Sequence, residues 1–141
     1  MIDSNETALL FSLIKSGELR PFKQFIELSG ASLECKYISG YTPLMEAVYL
    51  ENDEFVKYIC TSLKGKYSKD REKYKKYLNS SSSDGKTALI IATLGNTKRT
   101  IIEYLLKEGA SPTLKDLHGK MAKDYAPYAT CDDIEKFWSG L

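Results

Sequence analysis

Three observations in the sequence predict an all-α fold: a solenoid of about four stacked helix-turn-helix units with short β-hairpin-like loops between them. The phrase GYTPLMEAV at residues 40–48 returns as GKTALIIAT at residues 85–93. Each copy is followed by a polar break and then a second segment with apolar residues at i, i+3, i+4, the spacing of an amphipathic helix. Two weaker copies read LLFSLIKSGELRPFKQFIELSGA from Leu9 and HGKMAKDYA from His118. One helix pair cannot bury its own apolar face, so repetition at this scale implies units that stack and share a core.

The first unit spans about residues 5–37. Asp3 and Glu6 read as a capping box at its start, Lys15-Ser16-Gly17-Glu18 is its polar break, and PFKQFIEL is its second helix. The second unit, residues 38–63, opens with Thr42 as cap and Pro43 in the first turn. Its central Ala47 lets neighbouring helices approach, Leu50-Glu51-Asn52-Asp53 breaks it, and EFVKYICTSL follows. The third unit, residues 84–116, repeats this with Thr87, Ala92, the break Leu94-Gly95-Asn96-Thr97 and TIIEYLLKEGA. The fourth, residues 117–139, carries Lys123 and Asp124 where a buried unit would be apolar, and ends in DDIEKFW with Thr130 and Asp133 as a capping box. Polar outer faces are what terminal units of a solenoid require.

These residues resemble the ankyrin repeat, whose period is about 33 residues and whose signature includes G-x-T-P-L-H-x-A. Gly40, Thr42, Pro43, Leu44 and Ala47 match it, as do Gly85, Thr87, Leu89 and Ala92. EGASPTLKDLHGK from Glu108 matches the family's G-A-x-x-x-x-x-D-x-x-G stretch between repeats, and the resemblance covers about residues 6–138. Met45 and Ile90 stand where the motif has histidine, so a hydrogen bond that the resemblance implies between neighbouring loops is lost. Thr42 and Thr87 are 45 residues apart, and Thr87 and Met121 are 34. Against the family period, about a dozen residues are inserted after the second unit.

The inserted stretch is KGKYSKDREKYKKYLNSSSS, residues 64–83. Lys64, Lys66, Lys69, Arg71, Lys73, Lys75 and Lys76 against Asp70 and Glu72 make a local charge of +5, leaving −4 on the rest of a chain whose net is +1. Ser68 is positioned to cap a helix with Asp70 and Glu72 in its first turn and Lys75 and Lys76 near its end, as the helix dipole favours. Tyr67, Tyr74 and Tyr77 fall near one face and would rest on the repeat body, and four serines would form a flexible return. Three readings stay open: a solvated excursion, a contact with an acidic protein, and a surface for nucleic acid or phosphoinositide. The last is the least favoured. It rests on basic residues interleaved with aromatics, and RNA binding would weaken steeply with salt.

Composition narrows the function classes. Apolar residues at 43% and charged residues at 28% are ordinary for a globular domain, and the small net charge gives no whole-chain bias towards polyanions. No apolar run approaches the roughly 18–20 residues of a membrane span, and MIDSNETALLF is too acidic for a signal peptide. Three cysteines, Cys35, Cys60 and Cys131, without CxxC spacing predict unpaired thiols in a reducing, cytoplasmic setting. GKTALI lacks the upstream glycine of a phosphate-binding loop, and no G-x-S-x-G elbow or HExxH helix occurs. His118, two residues from Asp116 and thirteen before Cys131, is the only histidine. The expectation is therefore no catalytic residue, no metal, no cofactor and no enzyme.

In the ankyrin family the usual contact surface is the concave face, made of loop tips and the exposed side of the first helices. The resemblance places at the tips Ile38, Ser39 and Tyr41, then Ser83, Asp84 and Lys86, then Leu117, His118 and Lys120. On the first helices it places Lys15, Ser16, Tyr49, Leu50, Leu94 and Tyr128. Seven of these fifteen are large and apolar or aromatic, where an unused surface would be charged or small. The predicted binding set is Ile38, Tyr41, Tyr49, Leu50, Lys86, Leu94, Leu117, His118, Lys120 and Tyr128. The implied function is a protein-binding module, acting as an inhibitor or immunity-type protein, an adaptor or an assembly chaperone, and monomeric when free. Burial of several of these positions under the insertion or neighbouring loops is the competing expectation. Nucleic-acid or anionic-lipid binding by the insertion is the competing function.

Overall fold

The computed structural model describes residues 4–94 and 99–125. Helices α1 (Ser4–Ser16) and α2 (Leu19–Ser29) form the first pair, and α3 (Pro43–Tyr49) and α4 (Asp53–Lys66) the second. Helix α5 (Arg71–Leu78) is the inserted element, and α6 (Ala88–Leu94) with α7 (Arg99–Glu108) is the third pair. Helix α8 (Ala122–Tyr125) opens a fourth unit. The first helices stack in order, α1 on α3, α3 on α6 and α6 on α8, and α4 packs on α7 behind them. Among the described residues there is no strand. Leu94, the first residue of the predicted third break, closes α6, while the rest of that break, with Asp3, Thr130, Cys131 and Asp133, lies outside the described residues.

Packing, not intrinsic helicity, holds the short first helices. Isolated helices under about 12–15 residues are marginal in water, and α3 and α6 have 7 residues each. Leu44, Met45, Ala47 and Val48 of α3 are buried, as are Ala88 to Thr93 of α6. Met45 and Ile90, in the motif's histidine position, therefore serve as core residues. Phe22 of α2 joins the layers behind, its ring 5.0 Å from that of Phe55 and 5.9 Å from that of Tyr58, both on α4. Caps start the helices where expected: Thr42 Oγ1 accepts the Met45 N–H at 3.2 Å, and Thr87 Oγ1 accepts the Ile90 N–H at 3.2 Å. In the fourth unit Met121 cannot cap, and the Asp124 carboxylate accepts the Met121 N–H at 2.8 Å.

Three hairpin-shaped loops repeat one hydrogen-bond pattern. Tyr37 N–H reaches Tyr41 O, Ser82 N–H reaches Lys86 O and Asp116 N–H reaches Lys120 O, each at 2.9 Å. The tips are then strung together: Ser83 N–H donates to Ser39 O at 2.9 Å, and Leu117 N–H to Asp84 O at 3.2 Å. These backbone bonds tie neighbouring loops in a chain without the motif histidine. Gly40 and Gly85 permit the approach. Both have left-handed backbone, φ +72° and +80°, and a Cβ on Gly40 would sit 2.8 Å from Ser83 N, one on Gly85 2.9 Å from Leu117 N. The first residue of each loop varies. Asp116 accepts from the His118 and Lys120 N–H groups and from the Tyr125 hydroxyl, Ser82 Oγ accepts the Lys86 N–H, and Tyr37 stacks on Phe11.

The insertion corrects three expectations. Helix α4 runs on through Lys66, so Lys64 and Lys66 extend a repeat helix. Asp70, not Ser68, caps α5, its Oδ1 accepting the Lys73 N–H at 3.3 Å, because the chain makes a turn at Tyr67–Asp70 before the helix begins. The serine run is no flexible return. Ser82 is buried in its hairpin and Ser83 bonds the preceding tip. The tyrosines do face the body. Tyr77, buried, donates to Leu33 O at 2.6 Å, Tyr74 to Glu108 at 2.8 Å and Tyr67 to Glu34 at 2.6 Å. Tyr74 also covers Cys60, whose thiol burial pushes up to about 12, an unreactive state.

Candidate protein-binding face

The loop tips and the exposed ends of α1 and α3 enclose an open groove of about 600 Å³. Ile38, Tyr41 and Tyr49 line it together with Leu117, and Lys15, Ser39, Ser83 and Asp84 complete its rim with Phe11, Tyr37 and Glu46. Its position follows from the local chemistry just described. Thr42 starts α3 so that Glu46 and Tyr49, three residues apart, share a helix face, and the bonded tips hold Ser39, next to Ile38, against Ser83 and Asp84 against Leu117. Residues 64–78 contribute nothing to the lining, so the basic helical part of the insertion stays out of the groove and only Ser83 reaches its rim.

Exposure separates the predicted residues. Ile38 is 72% exposed, Tyr49 61% and Leu117 74%, all on this one groove. Tyr41 is half-buried, its ring 6.4 Å from that of Tyr49 at 76°. Leu50, Leu94, His118 and Lys120 are exposed but do not line it. Lys86 is half-buried and paired with Asp84 at 2.6 Å. Tyr128 lies outside the described residues. Sequence reasoning missed Phe11, Tyr37 and Glu46. The signal was present, since Glu46 precedes Tyr49 by three residues and Phe11 precedes Lys15 by four, each one helical turn.

Charge in the groove is unevenly satisfied. Hydrogen bonds from Lys86 and Ser82 hold Asp84 down at about 2. Burial pushes the Glu46 carboxyl above its ordinary value, and Lys15 only partly offsets this. Burial also raises the Tyr41 hydroxyl, with the Asp84 and Glu46 charges adding to the effect.

The basic stretch has a different character. Lys64, Lys66, Lys69, Arg71, Lys73, Lys75 and Lys76 are all exposed, while Tyr74 and Tyr77 are buried. Lys66 pairs with Glu34 at 2.9 Å and Lys64 with Glu108 at 3.4 Å, and the Lys66 and Lys73 ammonium groups lie 5.3 and 5.9 Å from the Tyr67 ring centre. The alternation of base and aromatic is thus an inside-outside division of a helix, with Tyr74 and Tyr77 unavailable for base stacking.

A family model described as ankyrin repeats, in 3 copies, matches residues 10–116. Among solved structures, a chain in the crystal structure of the yeast ribosomal protein Rps3 in complex with its chaperone Yar1 is similar with a TM-score of 0.84. It is 24% identical, over 97% of this chain and 93% of that one, a likeness that concerns the fold alone. Matches extend to 325 chains of solved structures, so shape by itself selects no partner. No curated protein matches the chain at a significant level.

Proposed function

This chain belongs to the ankyrin-repeat family, and on that premise we propose that it is a non-enzymatic protein-binding module whose partner occupies the groove between the loop tips and α3. The observation that carries this reading is the convergence of Ile38, Tyr49 and Leu117, each mostly exposed, on one groove. Water-exposed large apolar side chains gathered in a concavity gain most when a partner covers them. Fully burying Ile38 and Leu117 contributes roughly 1.5–3 kcal/mol each before the costs of association. Tyr41 and Tyr49 add amphipathic area with few torsions to freeze.

The role is to occupy a partner's surface, as an inhibitor or immunity-type protein, an adaptor, or a chaperone that holds a client. The Rps3–Yar1 complex, in which a ribosomal protein is bound by its chaperone, supports including the last. A reducing, cytoplasmic setting is consistent with this reading: among the described residues Cys35 and Cys60 are buried thiols outside any disulfide. Among the described residues no helix is long and apolar enough to cross a membrane.

The test is capture from native cytosol with the wild type and with an Ile38→Asp/Tyr49→Asp/Leu117→Asp variant, followed by titration of the purified partner. These three side chains are exposed, so circular dichroism should show an unchanged helix content. A partner bound by the wild type and lost by the variant is expected. A partner indifferent to these changes but lost on Lys73→Glu/Lys75→Glu/Lys76→Glu would move the function to the basic helix α5.

A further inference from the structure

We propose that the groove seats a basic side chain, an arginine in preference to a lysine, presented by a segment of the partner, with Glu46 as its counter-charge and Tyr41 and Tyr49 as its walls. This rests on the protein-binding reading above and names the chemistry of the occupant.

Glu46 is the reason. It sits half-buried on α3 within the groove, and among the described residues no donor reaches its carboxylate. Polar groups removed from water are disfavoured unless hydrogen-bonded, and charged ones more so. An apolar or acidic occupant would seal this carboxylate away from water with no donor. A guanidinium offers two parallel N–H groups, which match both carboxylate oxygens.

The surrounding charges do not already supply that partner. Lys86 is committed to Asp84 at 2.6 Å, and Ser82 donates to the same carboxylate. Lys15, on the last turn of α1, is exposed and makes no hydrogen bond to Glu46, and its pull on that carboxylate is weaker than the effect of burial. Asp84 therefore has its counter-ion and Glu46 does not.

The walls fit the same occupant. The Tyr41 and Tyr49 rings, at 76° to one another, offer an angled aromatic pair beside Glu46, and aromatic faces attract guanidinium by cation–π contact and stacking. Ile38 and Leu117 would cover apolar neighbours of the arginine on either side. Outside residues 64–78 the chain carries −4, a field that favours a basic segment as it approaches.

The experiment selects peptides from a displayed library of random dodecamers against the full chain. Selected peptides are expected to share an arginine flanked by apolar residues. Replacing that arginine by its neutral isostere citrulline should weaken binding about tenfold or more. Glu46→Gln, which keeps the shape, should weaken the parent peptide similarly and abolish the citrulline effect, a coupling that a merely structural role would not produce. Peptides that need Ile38, Tyr49 and Leu117 but show no basic preference and tolerate Glu46→Gln would overturn this proposal and leave the protein-binding groove standing. Failure to select any peptide that depends on the groove would overturn both.

Discussion

Replacing Gly85 by alanine tests whether the three loops are joined as the structure shows. The cost has two parts. At φ +80° an L-residue is strained by about 1–2 kcal/mol. The added Cβ would also lie 2.9 Å from Leu117 N and 3.2 Å from Asp116 C, both backbone atoms that cannot swing aside. The Leu117 N–H to Asp84 O bond, at 3.2 Å, must then lengthen or break, a further loss of about 0.5–1.5 kcal/mol. The total is about 1.5–3.5 kcal/mol, or roughly a 10 °C fall in Tm for a domain of this size. Gly30→Ala is the control: its φ is +68°, nearly the same strain, but nothing lies within 4 Å of its Cβ. Urea unfolding followed by far-ultraviolet circular dichroism should show a clearly lower midpoint for Gly85→Ala than for Gly30→Ala, with equal slopes. Equal midpoints would refute the close approach of the loop tips.

Two further expectations concern stability. Tyr77→Phe removes a buried hydroxyl that donates to Leu33 O at 2.6 Å, and the orphaned carbonyl should cost about 1–3 kcal/mol in urea unfolding; a wild-type midpoint would mean that α5 is not anchored there. Asp84 has a folded-state value depressed from 3.8 to about 2, so its contribution is fully present above about pH 4 and is lost as pH falls towards 2. Asp84→Asn should flatten the fall of Tm across that window, and an unchanged acid profile would refute the Lys86–Asp84 pairing as its source.

Legibility divided along the range of the interactions. Thr42 and Thr87 were readable as caps because the N–H groups they accept lie three residues along the chain. Gly40 and Gly85 were readable as motif glycines, but not as the points where one loop presses on the next. Ser68 looked like a cap by composition. Asp70 is the cap because the turn after α4 decides where α5 begins. Ser80–Ser83 looked flexible because serine runs usually are, and the carbonyl that orders Ser83 belongs to Ser39, on the loop before. In the candidate face, Ile38, Tyr41, Tyr49 and Leu117 were legible from their places in the repeat, and Glu46 was legible only as a helical neighbour of Tyr49, not as a carboxylate without a donor.

By itself the sequence determined that this chain is a stack of ankyrin units with an inserted basic helix. Caps, turn glycines and helical apolar spacing act over a few residues, and their recurrence is visible without coordinates. Only the tertiary structure decided which exposed positions share a groove and which carboxylate there lacks a partner. Both depend on how α1, α3 and the three tips are brought side by side, with Leu117 held against Asp84 and Ser83 against Ser39 by bonds between residues far apart in the chain. The same stacking turned Tyr74 and Tyr77 inward and left the lysines of α5 in water, a choice that a list of alternating basic and aromatic residues leaves open.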